Sequence, residues 1–373
     1  MEWTNKYTDL EDYIRYGNHS LEGYLRFSTI PVVLEYDLLT YLCSSNELVL
    51  KAISALYEKN IYPHLEENFV NSIKEMDDPP ESIILVRLDY MRNSENRYVC
   101  FDLNTQPGTP GSMVWSTCDF REGEGVISLN RSEYFYFNVF PALGRYYRKY
   151  SNGLPRVAIY ENDGTSLNIR LQNMLQKMCE IIRGFNFFRY DFIRDRHDLS
   201  GYEIIEPFFN INGSLSVVYY NYNKALESNK PLGSNLKLVP YESKDFAFLE
   251  LLDGVIASNE LEKVKNCLVQ NGEKNHVEKC LFGMSGSCIK KNLNMNWSDR
   301  IVTQELLEPG LIDACVNEEK MRLIYEIGVT SLMYFKGRHL VTLEPCVDLT
   351  VKASDKHPIS GPDTIVIPAL VAK

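Results

Sequence analysis

The sequence is short of positive charge. Lysine and arginine together number 39 against 50 aspartates and glutamates, a formal net charge of −11. Duplex nucleic acid and anionic membranes are usually met by a basic surplus, so neither is an expected partner. No apolar run approaches the roughly 18 residues that a membrane span requires. The opening MEWTNKYTDLEDYIRY is acidic and polar, without the basic start and apolar core of a secretory signal. The six histidines are scattered with no HExxH spacing, which speaks against a zinc site. The nine cysteines form no CxxC pair. An odd number without such spacing reads as reduced thiols in a cytoplasmic protein, mostly small core residues. No internal repeat or low-complexity linker interrupts the chain.

What is present is core-forming material. The 373 residues are 45% hydrophobic and include 24 tyrosines and 17 phenylalanines, which argues against disorder. That length suits two or three packed units or one large composite enzyme fold.

Residues 1–75 read as mainly helical, with Leu48, Ala52 and Leu56 at helical spacing inside 34–62. Asp77, Asp78, Pro79 and Pro80 then punctuate the chain. The runs SIILVRLDY and RYVCFDLN, separated by NSEN, predict a β-hairpin whose second strand ends at Asn104. Residues 113–150 read as helical and aromatic, with a tyrosine-rich stretch that fits helix packing or a substrate pocket. A strand at 155–160 followed by an amphipathic helix at 166–184 suggests an α/β layer. Short strands follow at 203–223 and a helix at 245–270. The remainder alternates short strands and glycine turns up to the apolar TIVIPALV. This pattern predicts a helical N-terminal segment over 1–78, packed on a larger α/β domain over 79–373 with an α/β subdomain inserted at about 150–225.

Four constellations could carry chemistry. Arg87 and Asp89 lie two apart on one strand, and Asp102 and Asn104 do the same on the next, so each pair shares a face. Paired in register, Asp89, Asp102 and Asn104 can converge on one cation, a hard oxygen set that magnesium prefers beside phosphates. Arg87 beside them could hold a phosphate or a developing acyl-phosphate charge. On spacing alone a solvated strand face explains the same residues. The second constellation is VEKCLFGMSGSCI, in which Lys279 precedes a loop containing Gly283, Ser285 and Gly286. Glycines let backbone N–H groups close over phosphates, although an ordinary hairpin turn has the same composition. The third is a strand ending in Gln304-Glu305, able to meet an adenine edge or to be a polar edge strand. In the fourth, Lys237 and Lys244 precede an apolar helix, as phosphate ligands or as solvated cations.

The order of the four is more specific than any one of them. The sequence resembles the synthetase domain of glutathionylspermidine synthase and its stand-alone relatives, a group of ATP-grasp carboxylate–amine ligases. The family's Arg-x-Asp strand and following Glu-x-Asn strand match Arg87-Leu-Asp89 and Asp102-Leu-Asn104. Its Trp-Lys-x-x-Pro segment and Ser-Asn-Lys match Leu236-Lys237-Leu-Val-Pro240 and Ser243-Lys244. Its Lys-Pro-x-Phe-Gly-Arg-Glu-Gly loop matches Lys279-Cys-Leu-Phe-Gly283-Met-Ser-Gly286. Its Gln-Glu strand end matches Gln304-Glu305, and its final Ile-Gly strand and glycine turn match Ile327-Gly328 and Gly337.

The resemblance implies an α+β ATP-grasp fold whose two lobes enclose ATP, and it assigns roles. Asp89, Asp102 and Asn104 would ligate Mg2+. Arg87 would face the transferred phosphate. Lys237, Lys244 and Lys279 would hold ATP phosphates under a lid that includes Gly283, Ser285 and Gly286. Gln304, Glu305 and Leu307 would lie at the adenine. The implied reaction joins a small-molecule carboxylate to an amine through an acyl phosphate, releasing ADP. Two further readings stand beside it. One is an amino acid ligase acting on an acyl carrier protein in an antibiotic pathway of the butirosin type. The other is a non-catalytic nucleotide-binding scaffold on a decayed ligase fold. The chain departs from the family where Asp102 replaces Glu, Met284-Ser285 replaces Arg-Glu, Cys280 replaces Pro, and Leu236 replaces Trp. After the glycine turn, Leu343-Glu344 stands where an Arg-Glu pair is expected. No amidase domain precedes the ligase-like region. Glutathione and spermidine are therefore not carried over as substrates.

Overall fold

The computed structural model describes residues 26–28, 32–59, 61, 81–105, 126–128, 148, 153–161, 189–193, 202, 204–208, 246–270, 276–280, 289–290, 301–316, 318–336, 339–356, 359, 364–367 and 369–372. The expected helix at 166–184, most of the stretch 113–150 read as helical, and Lys237, Lys244, Gly283, Ser285 and Gly286 lie outside them.

In chain order come β1 (Arg26–Phe27), β2 (Val32–Leu34), α1 (Tyr36–Glu58), β3 (Glu81–Arg92), β4 (Tyr98–Thr105), β5 (Val126–Ser128), β6 (Arg156–Glu161), β7 (Arg189–Ile193) and β8 (Ile204–Phe208). A 3-10 helix (Phe246–Leu252), α2 (Ser258–Cys267), β9 (His276–Cys280), β10 (Ile289–Lys290), β11 (Ile301–Glu305), β12 (Leu311–Val316), β13 (Glu319–Lys336), β14 (His339–Ser354), β15 (Ile365–Ile367) and β16 (Ala369–Ala372) follow. The largest sheet among the described residues has seven strands in the order β1-β15-β14-β13-β3-β4, with β12 also paired to β13. Three smaller sheets run β10-β9-β11, β2-β16-β5 and β7-β6-β8, the last of them parallel.

The predicted hairpin is the β3–β4 pair, in the register Asp89 opposite Asp102 and Arg87 opposite Asn104. Its turn is held by the Asn93 side chain, whose Oδ1 accepts from the backbone N–H of Glu95 at 3.1 Å and of Arg97 at 2.9 Å. Asn96 takes a positive φ of 63° there, a conformation that asparagine tolerates better than most residues.

Helix α1 forms where the sequence places apolar residues at helical spacing. Leu39, Leu42, Val49, Leu50, Ile53 and Leu56 are all buried, and Asp37 in its first turn suits the positive end of the helix dipole. The helix packs on one face of the large sheet, against β13 and β14. Asn46, fully buried, ties the two layers together. Its Nδ2 donates to Ser331 Oγ and, at 3.1 Å, to the Pro345 carbonyl, while its Oδ1 accepts from Tyr90 at 3.1 Å. The polar contact satisfies groups that would otherwise be orphaned inside an apolar layer.

Three expectations change in the structure. Strand β5 stands inside the stretch read as helical at 113–150, and β1 and β2 stand beside α1 inside the N-terminal segment read as helical, because their apolar residues pair into sheets with the C-terminal strands β15 and β16. The helix read over 245–270 is two pieces, a 3-10 helix and α2, joined through Gly254 at φ +74°. Phe246, Leu249 and Leu252 are buried at a spacing of three, the repeat of a 3-10 helix rather than of an α-helix. The short strands expected near the C-terminus are instead the long antiparallel pair β13–β14, of 18 and 16 residues. No helix among the described residues is long and apolar enough to cross a membrane.

Candidate active site

Side chains alternate across a strand, so the face opposite α1 is set by sequence parity. On β13, Ile327, Val329 and Ser331 belong to the helix layer, whereas Glu326, Gly328 and Thr330 share the other face. On β3, Leu88 and Tyr90 join the core, and Arg87 and Asp89 turn away from it. Register then builds two transverse rows. Thr350, Gly328, Asp89 and Asp102 stand side by side across four strands, and Thr330, Arg87 and Asn104 form the adjoining row. Lys352 stands opposite Glu326 at the end of the patch.

The charges on this face are organised. Arg87 donates from Nε to Asp89 Oδ1 at 2.7 Å and from Nη2 to Oδ2 at 3.1 Å. Lys352 Nζ donates to Glu326 Oε1 at 2.8 Å and lies 3.8 Å from Asp89 Oδ2. Asp89 and Glu326 are almost wholly buried, while Arg87 and Lys352 keep 16% and 18% of their side chains exposed. The cluster is thus a chain of alternating sign, Arg87–Asp89–Lys352–Glu326, open to a ligand at its cationic members.

Burial pushes the Asp89 carboxyl up, but the Arg87 and Lys352 charges outweigh it and hold the group below the usual carboxylate range. Glu326 goes the other way. Burial, with Asp89 adding to it, raises its carboxyl in spite of Lys352. Burial lowers Arg87, and the Asp89 carboxylate more than restores it. On the core side of the sheet, burial and then the charges of Asp89 and Asp102 drive the Cys100 thiol well up, which keeps it a neutral packing group.

Gly328 is the seat of the cluster. A Cβ built on it would lie 2.7 Å from Arg87 Cδ and 2.7 Å from Asp89 Oδ1, closer than carbon tolerates. Only glycine lets the guanidinium–carboxylate pair lie flat across β13. Thr330, fully buried on the same face, has a hydroxyl with no hydrogen-bond partner among the described residues.

Lys279 reaches this region from the second sheet. It is buried on β9, its Nζ donates to the Phe101 carbonyl at 3.4 Å, and it stands 4.6 Å from the centroid of the Phe101 ring. Its charge contributes to lowering Asp89. In the β9–β11 register, Val302 faces Lys279 and Gln304 faces Val277, so Lys279 and the buried Gln304 share one face of that sheet. Glu305 turns to the opposite side, where its Oε1 accepts from Ser94 at 3.5 Å in the hairpin turn. Leu307 is buried just beyond.

The structure therefore brings Arg87, Asp89 and Asp102, and the backbone position of Asn104, onto one sheet face, with Lys279 beside them. Sequence reasoning missed Glu326, Lys352, Thr330 and Thr350. The signal available was polar residues at alternate positions within apolar strands, between Ile327 and Val329 and between Leu349, Val351 and Ala353. Among the described residues no group of three or more His, Cys, Asp or Glu side chains is placed to hold a metal.

No protein-family model matches the chain, and no curated protein matches it in sequence. Among solved structures it is similar to a glutathione synthetase-like effector (GSS30) of Globodera pallida in apo form. The TM-score is 0.55 at 12% sequence identity, covering 98% of this chain and 97% of that one. At that identity the likeness shows fold alone. The chain is a mixed α/β protein, mostly sheet, with a glutathione synthetase-like fold.

Proposed function

We propose that this protein is an ATP-grasp ligase that joins a carboxylate to an amine through an acyl phosphate. The observation that carries the reading is the placement of Arg87, Asp89 and Asp102 on one sheet face, with Lys279 arriving from a second sheet beside them. Two sheets that each bring a cation to one place suit a polyphosphate held between them. Magnesium keeps several waters and takes one or two protein oxygens plus phosphate oxygens. Half-buried Asp102, with Asn104 at the next position of its face, fits that small donor set. When bound, the ion would offset phosphate charge during transfer.

The γ-phosphoryl group moves to a carboxylate oxygen, giving an acyl phosphate and ADP. The amine nitrogen then attacks the acyl carbon, the carbon–oxygen bond to phosphate breaks, and the nitrogen gives up a proton. Arg87 offsets the charge that develops on the transferred group, and Lys279 holds the ATP phosphates with Lys237 and Lys244. Gln304 and Leu307 line the adenine end, with the Glu305 backbone beside them. The lid that the resemblance assigns to residues 283–286 would keep water from the acyl phosphate. No protein nucleophile is needed, because positioning and electrostatics carry phosphoryl transfer.

Calorimetric titration of a non-hydrolysable ATP analogue, with and without magnesium, tests this on wild type and Lys279→Ala. Magnesium-dependent binding that is lost in the variant is the expected result. Binding with no magnesium dependence, or undiminished in the variant, refutes the site, and no binding by folded wild type refutes the nucleotide reading. ADP release on adding carboxylate–amine pairs separates a ligase from a nucleotide-binding scaffold.

A further inference from the structure

Asp89 and Asp102 stand opposite each other in the hairpin, and their residue type suits both equally to a cation. Their surroundings differ. Both oxygens of Asp89 already accept from Arg87, in the two-toothed geometry that best matches a guanidinium to a carboxylate. Lys352 approaches Oδ2 from β14, and Lys352 is itself braced by Glu326. Gly328 holds the pair from below. A divalent ion bound to Asp89 would sit within a few ångströms of two cations and would compete with Arg87 for the carboxylate oxygens. Asp102 is only half-buried, and its Oδ1 accepts from the backbone N–H of Leu103 at 3.1 Å.

We propose that Asp89 is a positioning residue for Arg87 and not a magnesium ligand, the metal being held from β4 by Asp102 and Asn104. This rests on the ligase reading above. The cluster of Arg87, Asp89, Lys352 and Glu326 carries two charges of each sign and is neutral as a set. Arg87 therefore serves through aimed hydrogen bonds rather than through surplus charge. Its Nε and Nη2 are taken by Asp89, and Nη1 makes no hydrogen bond to protein among the described residues. The outer end of the fork is what remains for an oxygen of the transferred phosphoryl group. A lysine at position 87 could not hold Asp89 with two parallel bonds and still present a donor in a fixed direction.

The test measures the magnesium concentration at half-maximal binding of the ATP analogue in wild type, Asp89→Asn, Asp102→Asn and Gly328→Ala. Ligase turnover is followed alongside. A positioning role predicts an Asp89→Asn midpoint within about twofold of wild type, with kcat lowered and KM for the nucleotide unchanged. Asp102→Asn raises the midpoint about tenfold or more. Gly328→Ala displaces the clamp without removing a charge, so it repeats the kcat loss with the midpoint unchanged. It carries the test if Asp89→Asn does not fold. The Arg87 Nε–H resonance of the unliganded protein gives a second reading, slow to exchange in wild type and Asp102→Asn and lost in Asp89→Asn. An Asp89→Asn midpoint shifted as far as that of Asp102→Asn overturns the positioning role alone. Rapid Nε–H exchange in wild type also overturns it. Wild type that binds no magnesium nucleotide overturns the ligase reading, and this role falls with it.

Discussion

Lys352→Met exposes how much of the cluster is held by one ion pair. The substitution keeps most of the aliphatic stem and removes the ammonium 2.8 Å from Glu326 and 3.8 Å from Asp89. Asp89 retains Arg87, so the loss falls mainly on Glu326, which keeps only 7% of its side chain exposed. Leaving one buried charge without its partner costs about 3–5 kcal/mol. Lys352 is 18% exposed and water can reach its former position, so the lower end, about 3 kcal/mol, applies. The pH dependence has a definite sign. Glu326 is raised in the folded state, so the folded protein holds its proton more tightly than the unfolded chain does. Its contribution is complete below the unfolded carboxylate pKa and is lost as pH rises through the folded value. Removing Lys352 raises Glu326 further. The deficit relative to wild type must therefore be largest at pH 8 and shrink toward pH 5. Thermal or urea unfolding at both values measures it, and Lys352→Met with Glu326→Gln should recover most of the loss. A deficit equal at both pH values would refute the argument, as would a double variant no more stable than the single one.

Two further outcomes follow from groups on the helix side of the sheet. Asn46→Leu leaves Tyr90 without its acceptor and the Pro345 carbonyl with Ser331 as its remaining donor in this network, and should cost about 2 kcal/mol in urea unfolding. The Cys43 thiol is lowered by its hydrogen bond with Cys346, an effect larger than its burial, while burial drives Cys100 well up. Cys43 should therefore alkylate faster than Cys100 at neutral pH, read by peptide mass mapping, and the gap should narrow under denaturant.

The hairpin bearing Arg87, Asp89, Asp102 and Asn104 was legible because its information is local. Two alternating strands flank a turn with its own asparagine, and face and register follow from parity and loop length. Helix α1 was legible for the same kind of reason, a single period over 23 residues. The other half of the site was not. Arg87 stands opposite Thr330, some 240 residues away in the chain, and no local pattern encodes that pairing. The long strand β13 was also disguised. Read locally, Gly328 is punctuation, and only the family resemblance put Ile327-Gly328 on a strand; here it lies inside an 18-residue strand because a side chain there would strike Arg87 and Asp89. Glu326 and Thr330 interrupt the apolar signal on either side. The residues that make the face polar are thus the same ones that hide the strand.

The sheet itself explains why so many charges can be held on one face without unfolding it. Its other face is anchored on α1 through Leu42, Leu50 and Ile53 and through Ile327, Val329, Leu349 and Val351, all of them fully buried. That apolar layer fixes register independently of the polar side, since a slip of one residue would turn Ile327 and Val329 outward and Glu326 inward. Arg87, Asp89, Glu326 and Lys352 therefore need not hold the strands together. They are free to be spaced for one another, with glycine where the pair must lie flat and with alternating sign to limit the cost of burial. For the ligase proposed above, that division matters because the donors are fixed before the ligand arrives.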